Sequence, residues 1–97
     1  MPTYITLTNW TDQGIREVKE SPQRLAGARK LIEAAGGKWI GFYLTMGRYD
    51  LVVITEAPSD EAYTATILSI ASRGSIRSET LKVFPEDEYR DIIAKVQ

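Results

Sequence analysis

The chain has 97 residues, of which 12 are basic and 13 acidic, and it contains no His and no Cys. A chain of this length has room for one hydrophobic core, so we expect a single domain over residues 1–97. The near balance of charge argues against binding to a nucleic-acid backbone. The lack of His and Cys removes the commonest general base, metal ligands and thiol nucleophile, so we expect neither a metal nor a cofactor.

No apolar segment approaches the roughly 20 residues that a membrane helix requires, and the first residues lack a basic region followed by a hydrophobic one. These features predict a soluble, cytoplasmic protein with no membrane partner. The hydrophobic content of 43% is that of a folded domain. Because so short a chain has a marginal core of its own, association with a partner is favoured.

The first half of the chain predicts a strand followed by a helix. Apolar and polar residues alternate over residues 3–10, which is typical of a strand. Residues 11–19 hold turn formers followed by a short helical turn. Ser21 and Pro22 then suit the start of a helix, with Ser21 as its N-cap, and Gly36 suits its end.

The second half predicts a β-hairpin, a helix, a strand and a final amphipathic helix. Their ranges are 38–46 and 51–55 for the hairpin, about 60–72 for the helix, 76–84 for the strand, and from Pro85 onward for the final helix. Strict alternation in the second strand would place Ile40, Phe42 and Leu44 on one face and Trp39 and Tyr43 on the other. Either Ser59 or Asp60 can cap the helix that follows the hairpin.

The order βαββαβ predicts a ferredoxin-like α+β fold, in which both helices cover one face of a four-stranded antiparallel sheet, with an extra C-terminal helix. The uncovered face should also be apolar, because residues 51–54 offer apolar side chains to both faces of the sheet. We expect Tyr4, Trp10, Trp39 and Tyr43 to contribute to it. Packing this face against a second copy would bury it, so the sequence predicts a homodimer or a higher oligomer, arranged as a dimeric α+β barrel.

The hairpin contains the clearest motif, in which Gly47, Tyr49 and Asp50 lie close together. In this motif the chain resembles the GYD domain family. Further similarity lies in residues 9–14, in residues 21–25 and at Thr80-Leu81. The resemblance implies the dimeric α+β barrel superfamily, which holds cofactor-independent monooxygenases, lactone isomerases, haem proteins and ligand-sensing modules. It implies no settled activity for the GYD family itself, and Arg48 departs from the commoner family pattern.

The motif has a structural and a functional interpretation. In the structural one, Gly47 supplies a positive φ, Asp50 bonds backbone donors or Arg48, and the ring of Tyr49 packs. In the functional one, polar groups of the motif lie at the mouth of a pocket with several neighbours. The candidate pocket residues are Tyr49, Asp50, Tyr43, Asn9, Trp10 and Arg24.

Two functions are compatible with these features. The first is a small-molecule-binding or interaction module, with its ligand in a cavity between the two sheets of the dimer, unless that interface is fully packed. The alternative is a cofactor-independent enzyme, similar to a monooxygenase or isomerase, acting on a small aromatic or enol-type substrate. In that case Tyr49, Asp50 or Tyr43 would move protons. Haem use is disfavoured because the chain has no His to bind its iron.

Overall fold

The structure is a computed structural model, and it describes all 97 residues. Its elements are β1 (Thr3–Trp10), α1 (Asp12–Arg16), a 3₁₀ turn (Val18–Glu20), α2 (Ser21–Ala34), β2 (Lys38–Leu44), β3 (Leu51–Glu56), α3 (Asp60–Ala71), β4 (Ile76–Val83) and α4 (Glu86–Ala94). The strands form one antiparallel sheet in the order β2-β3-β1-β4. Helices α2 and α3 lie over the same face of this sheet. The ferredoxin-like arrangement with an extra C-terminal helix is therefore confirmed.

The segment before α2 differs from its prediction. Residues 12–16 form a helix, not a turn, because the hydroxyl of Thr11 accepts a hydrogen bond from the backbone N–H of Gly14 (3.1 Å) and so caps it. Ser21 does not act as an N-cap; it lies inside α2, and its backbone N–H donates to the carbonyl of Val18 in the preceding 3₁₀ turn. Pro22 lies in the first turn of α2 as predicted. The preceding 3₁₀ turn therefore satisfies the backbone N–H of Ser21, and α2 has no side-chain N-cap.

The alternation predicted for β2 is wrong, because the strand contains a β-bulge. Its register with β3 shifts between Trp39 and Gly41, which leaves Ile40 unpaired and 53% exposed. As a result Trp39 and Phe42 share the face beneath the helices, and their rings stack with centroids 6.4 Å apart. Tyr43 points to the opposite face, which we call the open face. The strand also ends at Leu44, two residues earlier than predicted.

The aromatic residues expected on the open face lie mostly beneath the helices. Trp10 and Trp39 line a cavity between the sheet and the helices, and Tyr4 stacks on Tyr63 of α3 at 4.1 Å between ring centroids. Only Tyr43 takes its expected place, and it is 60% exposed. Because side chains alternate along a strand, aliphatic residues take the open face instead. They are Ile5, Leu7, Val52, Ile54 and Leu81.

One end of the layer between helices and sheet is tightly packed, and we call it the packed end. Tyr4 and Tyr63 are buried there together with Ala57. The hydroxyl of Tyr63 shares hydrogen bonds with the hydroxyls of Thr6 (2.6 Å) and Thr80 (2.7 Å). Both phenols are therefore fully paired in the interior, because Tyr4 also has a partner at the rim of α3.

That partner is Asp60, whose carboxylate accepts a hydrogen bond from the Tyr4 hydroxyl at 2.5 Å and another from Lys82 at 3.0 Å. Burial, and then this contact with a carboxylate, raise the pKa of Tyr4 well above its ordinary value. The same two hydrogen bonds lower the pKa of Asp60. Asp60 also begins α3, for which Ser59 is the N-cap through its hydroxyl and the N–H of Ala62. Strand β1, helix α3 and strand β4 are thus joined at this end.

Helix α4 stands apart from the rest of the chain. It makes only marginal contacts with other elements, and its apolar residues Tyr89, Ile92 and Ile93 are 41–54% exposed. The radius of gyration is 14.6 Å, whereas a compact chain of this length has about 12.5 Å. The predicted amphipathic stripe is therefore present but unpaired. None of the helices combines the length and the apolar character needed to cross a membrane.

Candidate ligand-binding site

The other end of the same layer contains a cavity of about 340 Å³, and we call it the hollow end. Strands β1 and β3 form its floor, and helices α2 and α3 form its roof. Apolar side chains from all four elements line it, among them Leu51, Val53, Ile32, Ile67 and Ile70. Its volume lies at the lower end of the range for small-molecule pockets. Protein interiors are otherwise packed as densely as organic crystals, so this space is a departure from an ordinary core.

Small residues in α2 keep this space open. Gly27 and Ala28 face the cavity at positions where a core helix would offer larger side chains. A glycine in the middle of a helix costs about 1 kcal/mol relative to alanine. A Cβ atom at Gly27 would have no neighbour within 4 Å other than a guanidinium nitrogen of Arg73, at 4.0 Å. Close packing therefore does not require this glycine, which leaves part of the roof empty.

Threonines replace the usual β-branched hydrocarbons on the floor of the cavity. Thr6 and Thr8 are buried, and the hydroxyl of Thr6 is paired with Tyr63. Thr55 is 1% exposed, and its hydroxyl has no hydrogen-bond partner. A buried hydroxyl without a partner costs about 1–3 kcal/mol. The floor therefore carries a polar group that the fold itself does not satisfy.

The charged residues that line the cavity are both arginines. Arg24 of α2 donates hydrogen bonds to the backbone carbonyls of Glu17 (3.0 Å) and Gly14 (3.2 Å). Arg73, just after α3, reaches across to α2 beside Gly27. No carboxylate lies within ion-pair distance of either guanidinium. The rim of the cavity is therefore positively charged, while its walls are apolar.

The GYD motif lies outside this cavity, and Asp50 ties the hairpin to the end of β1. Its carboxylate accepts a hydrogen bond from the backbone N–H of Trp10 (3.0 Å), and its own N–H donates to the carbonyl of Thr8 (2.9 Å). Gly47 has a φ of 124°, which only glycine adopts readily. These contacts agree with the structural interpretation of Gly47 and Asp50.

Tyr49 points toward the open face of the sheet. Its hydroxyl donates to the carboxylate of Glu79 on β4 at 2.5 Å, and its carbonyl accepts from the hydroxyl of Thr45 at 2.5 Å. The hydrogen bond to Glu79, more than burial, raises the pKa of the Tyr49 phenol. The hairpin thus reaches across β1 to the middle of β4, and the phenol of Tyr49 is already bonded to a carboxylate.

The structure brings together only part of the predicted pocket. Trp10 and Arg24 line the cavity, whereas Tyr49 and Asp50 lie in the hairpin, and Asn9 and Tyr43 face the open side of the sheet. The cavity itself lies beneath the helices, on the side of the sheet away from the one where the sequence placed it.

The pocket predicted from the sequence did not include several residues that line the cavity: Thr6, Thr8, Thr55, Gly27, Ala28 and Arg73. Two local signals could have pointed to them. Thr6 and Thr8 share a face of β1 with two aromatic residues, and α2 has a pair of small residues at 27–28. A covered face that combines hydroxyls with missing bulk is the composition of a pocket.

Solved structures confirm the class of fold. TTHA0845 from Thermus thermophilus is similar with a TM-score of 0.56 and 22% identity, over 87% of this chain and 94% of that one. A mutant of MhuD, crystallised with two manganese protoporphyrin IX molecules per active site, is similar with a TM-score of 0.50 and 20% identity, over 89% and 95% of the two chains. The chain is thus a ferredoxin-like α+β domain with a cavity beneath its helices.

The chain belongs to the GYD domain family, whose model matches residues 4–93. A relative from Thermus thermophilus is 32% identical over the whole length of both chains, and it is named glutamine synthetase and cystathionine beta-lyase binding protein. Family membership confirms the resemblance seen in the hairpin motif. It also shows that the match extends over nearly the whole chain.

The cavity does not offer the ligands that proteins use for haem iron. These ligands are His, Cys, Met and Tyr. The chain has no His or Cys, and no Met or Tyr lines the cavity. The residues present therefore do not fit a haem held through its iron.

Proposed function

We propose that this protein is a small-molecule-binding module whose ligand sits between the helices and the sheet. The observation that carries the proposal is the cavity of about 340 Å³ between the sheet and the helices, where a domain of this kind would normally have a packed core. A small domain has little stability to spare, so leaving this region open favours a role for the space itself. The unpartnered hydroxyl of Thr55 and the two rim arginines give such a ligand polar partners.

The enzyme alternative receives less support from the geometry. The residues that were expected to move protons, Tyr49, Asp50 and Tyr43, do not line the cavity. Asp50 bonds backbone groups, and Tyr49 bonds Glu79. A general base must lie within hydrogen-bond reach of the proton that it removes. Binding without chemistry therefore requires fewer assumptions about these residues.

A neutral fluorescent naphthalene, such as Prodan, tests the binding proposal. Its titration should show saturable binding to the wild-type protein. The control variant Ala26→Phe should bind it equally well, because Ala26 is exposed on the outer side of α2. Binding should be lost in Ala28→Phe, which places a ring in the cavity from the same helix. Circular dichroism checks that both variants fold. Absence of saturable binding to the wild type, or equal binding to the two variants, would contradict the proposal.

The proposal includes a homodimer formed through the open face of the sheet. Ile5, Leu7, Val52 and Ile54 form an aliphatic surface there, and α4 presents a second unpaired stripe. Contiguous apolar surfaces of this kind are typical of protein interfaces. A second copy offers the same surface, and two-fold pairing is the commonest symmetry of soluble oligomers.

Light scattering at micromolar concentration tests this pairing. The wild type should have at least twice the mass of one chain, and Ile54→Lys should shift it toward the monomer. The matched control is Leu68→Lys on α3, where the side chain is already 63% exposed, and it should leave the mass unchanged. A wild-type monomer, or an Ile54→Lys variant as large as the wild type, would argue against the interface.

Binding to metabolic enzymes is a second candidate function. The relative that matches over its whole length carries glutamine synthetase and cystathionine beta-lyase binding in its name. Isothermal titration against these two purified enzymes of the host organism measures whether this chain shares that property. Heat of binding to either enzyme, with none to an unrelated enzyme of similar charge, would support it. No heat with both enzymes would leave the cavity ligand as the function.

A further inference from the structure

We propose that the ligand of this cavity is an apolar molecule carrying one carboxylate, with the carboxylate held at the rim by Arg73 and Arg24. The inference rests on the proposed binding function and specifies its ligand class. Its starting point is the asymmetry of charge, since the lining contains two guanidinium groups and no carboxylate.

The rim arginines lie at one end of the cavity. Arg24 is in the first turns of α2, Arg73 follows the end of α3, and Trp10 and Ile76 mark the end of β1 and the start of β4. The opposite end lies beside Thr55, which pairs with Tyr4 near the packed end. The cavity is therefore positive at its mouth and uncharged along its depth. A molecule with an anionic head and an apolar body matches this distribution of charge.

Arg73 is the main anchor in this arrangement. Its guanidinium passes over Gly27, where no side chain competes for the space. It has no carboxylate partner within the chain. A guanidinium presents a planar fork of donors that matches the two oxygens of a carboxylate, and such charge-assisted pairs are among the stronger hydrogen bonds.

Arg24 is held in place before any ligand arrives. Its two hydrogen bonds to the carbonyls of Glu17 and Gly14 fix the guanidinium, which still has donors to spare. Those carbonyls are themselves well positioned, because α1 packs directly against the start of β4. A Cβ atom at Gly14 would lie only 2.1 Å from the carbonyl oxygen of Ser75. An anchor that is ordered in advance loses less entropy on binding.

A matched pair of probes tests the charge requirement. Naphthoate and naphthamide have the same ring system, but only naphthoate is charged. Competition with the neutral fluorescent probe should show that naphthoate binds the wild type about tenfold more tightly than naphthamide, as expected for hydrogen bonds to a charged group. Arg73→Gln should remove most of this preference while leaving naphthamide binding unchanged, because only Arg24 then remains to hold the carboxylate.

Arg77→Gln is the control, because it makes the same charge change on the open face of β4. It should keep the full preference for naphthoate. Equal affinity for the two probes in the wild type, or equal loss of naphthoate binding in the two variants, would overturn the inference. The neutral probe separates the failures: if it still binds, only the carboxylate anchor is wrong, and if it does not bind, the proposed function fails as well.

Discussion

The two ends of the layer between helices and sheet are built from similar residues, but one end is filled and the other contains a cavity. At the packed end, Tyr4 stacks on Tyr63, and the hydroxyl of Tyr63 is paired with Thr6 and Thr80. At the hollow end, Thr55 has an unpartnered hydroxyl, and the helix above carries Gly27. The packed end should therefore supply most of the stability of the layer, whereas the hollow end has fewer packing contacts because it contains the cavity.

This contrast predicts that substitutions at the two ends differ in size and even in sign. Stabilising substitutions should be easy to find at the hollow end, because residues that serve a function are rarely optimal for stability. Destabilising changes should dominate where packing and hydrogen bonds are complete. Since the protein is proposed to associate, unfolding measurements need one fixed protein concentration.

The largest effect is expected for Tyr63→Ala at the packed end. It removes a buried ring and leaves the hydroxyls of Thr6 and Thr80 without their shared partner, which should lower the free energy of unfolding by roughly 3–4 kcal/mol. Ile70→Ala at the hollow end should lower it by only about 1 kcal/mol, because Ile70 is half-exposed beside an existing space. Urea denaturation measures both, and equal losses would remove the distinction between the ends.

Tyr4→Phe is expected to have the next largest effect, and the effect depends on pH. Loss of the hydrogen bond to the exposed carboxylate of Asp60 should lower the free energy of unfolding by about 1 kcal/mol near neutral pH. The pKa of Tyr4 is raised above 10.0 in the folded state. Its contribution is therefore complete below pH 10 and decreases as the pH rises further, since the unfolded chain ionises first.

Above pH 10 the stability curves of the wild type and Tyr4→Phe should consequently converge. Chemical denaturation of both proteins at several pH values measures this convergence. Tyr49→Phe should show a weaker change in the same direction, because the Tyr49 phenol lies in the hairpin at the surface and its pKa is raised mainly by one hydrogen bond to Glu79. A constant difference between the wild type and Tyr4→Phe across the alkaline range would show that Tyr4 does not titrate as the structure indicates.

Thr55→Val should stabilise the protein. Valine keeps the shape of threonine and removes a buried hydroxyl that has no partner, so the free energy of unfolding should rise by up to about 1 kcal/mol. Thr6→Val is the matched control on the neighbouring strand. It should be destabilising, because the hydroxyl of Thr6 is bonded to Tyr63. Thermal melting of both variants checks the opposite signs, and a destabilised Thr55→Val would mean that its hydroxyl is satisfied in solution.

Gly27→Ala should produce the smallest change, a gain of about 0.5–1 kcal/mol from helix propensity. The new methyl group meets no atom closer than 4.0 Å. Gly14→Ala provides the contrast, because its Cβ would collide with the carbonyl oxygen of Ser75, at 2.1 Å, and should be destabilising. Differential scanning calorimetry resolves the two. A loss of stability in Gly27→Ala would indicate that the roof of the cavity is more tightly packed than described.

The sequence was informative about local features and less so about how they come together. A cap at Ser59 or Asp60, the positive φ at Gly47 and the amphipathic pattern of α4 were all predicted, because each depends on a few neighbouring residues, and the structure selects Ser59 as the cap. The bulge in β2 was not, because it depends on the register with β3. That one-residue shift moved Phe42 to the same face as Trp39.

The candidate site was predicted only in part, for a related reason. Alternation showed that Tyr4, Thr6, Thr8 and Trp10 share a face of β1, but not that this face lies beneath the helices. Both faces of the strand are apolar enough to be covered, so composition alone could not choose between them. Of the predicted pocket residues, Trp10 and Arg24 line the cavity, whereas Asp50 of the hairpin motif forms a hydrogen bond with the backbone at the end of β1.

By itself, the sequence determined the order of strands and helices, the ferredoxin-like fold and the family, because turn, capping and periodicity signals are local and the hairpin motif is specific. Only the tertiary structure decided where the empty space lies. A cavity exists where α2 and α3 stand away from the sheet over Thr55 and Leu51, and that separation depends on how distant side chains such as Tyr63 and Gly27 fill, or fail to fill, the layer between them.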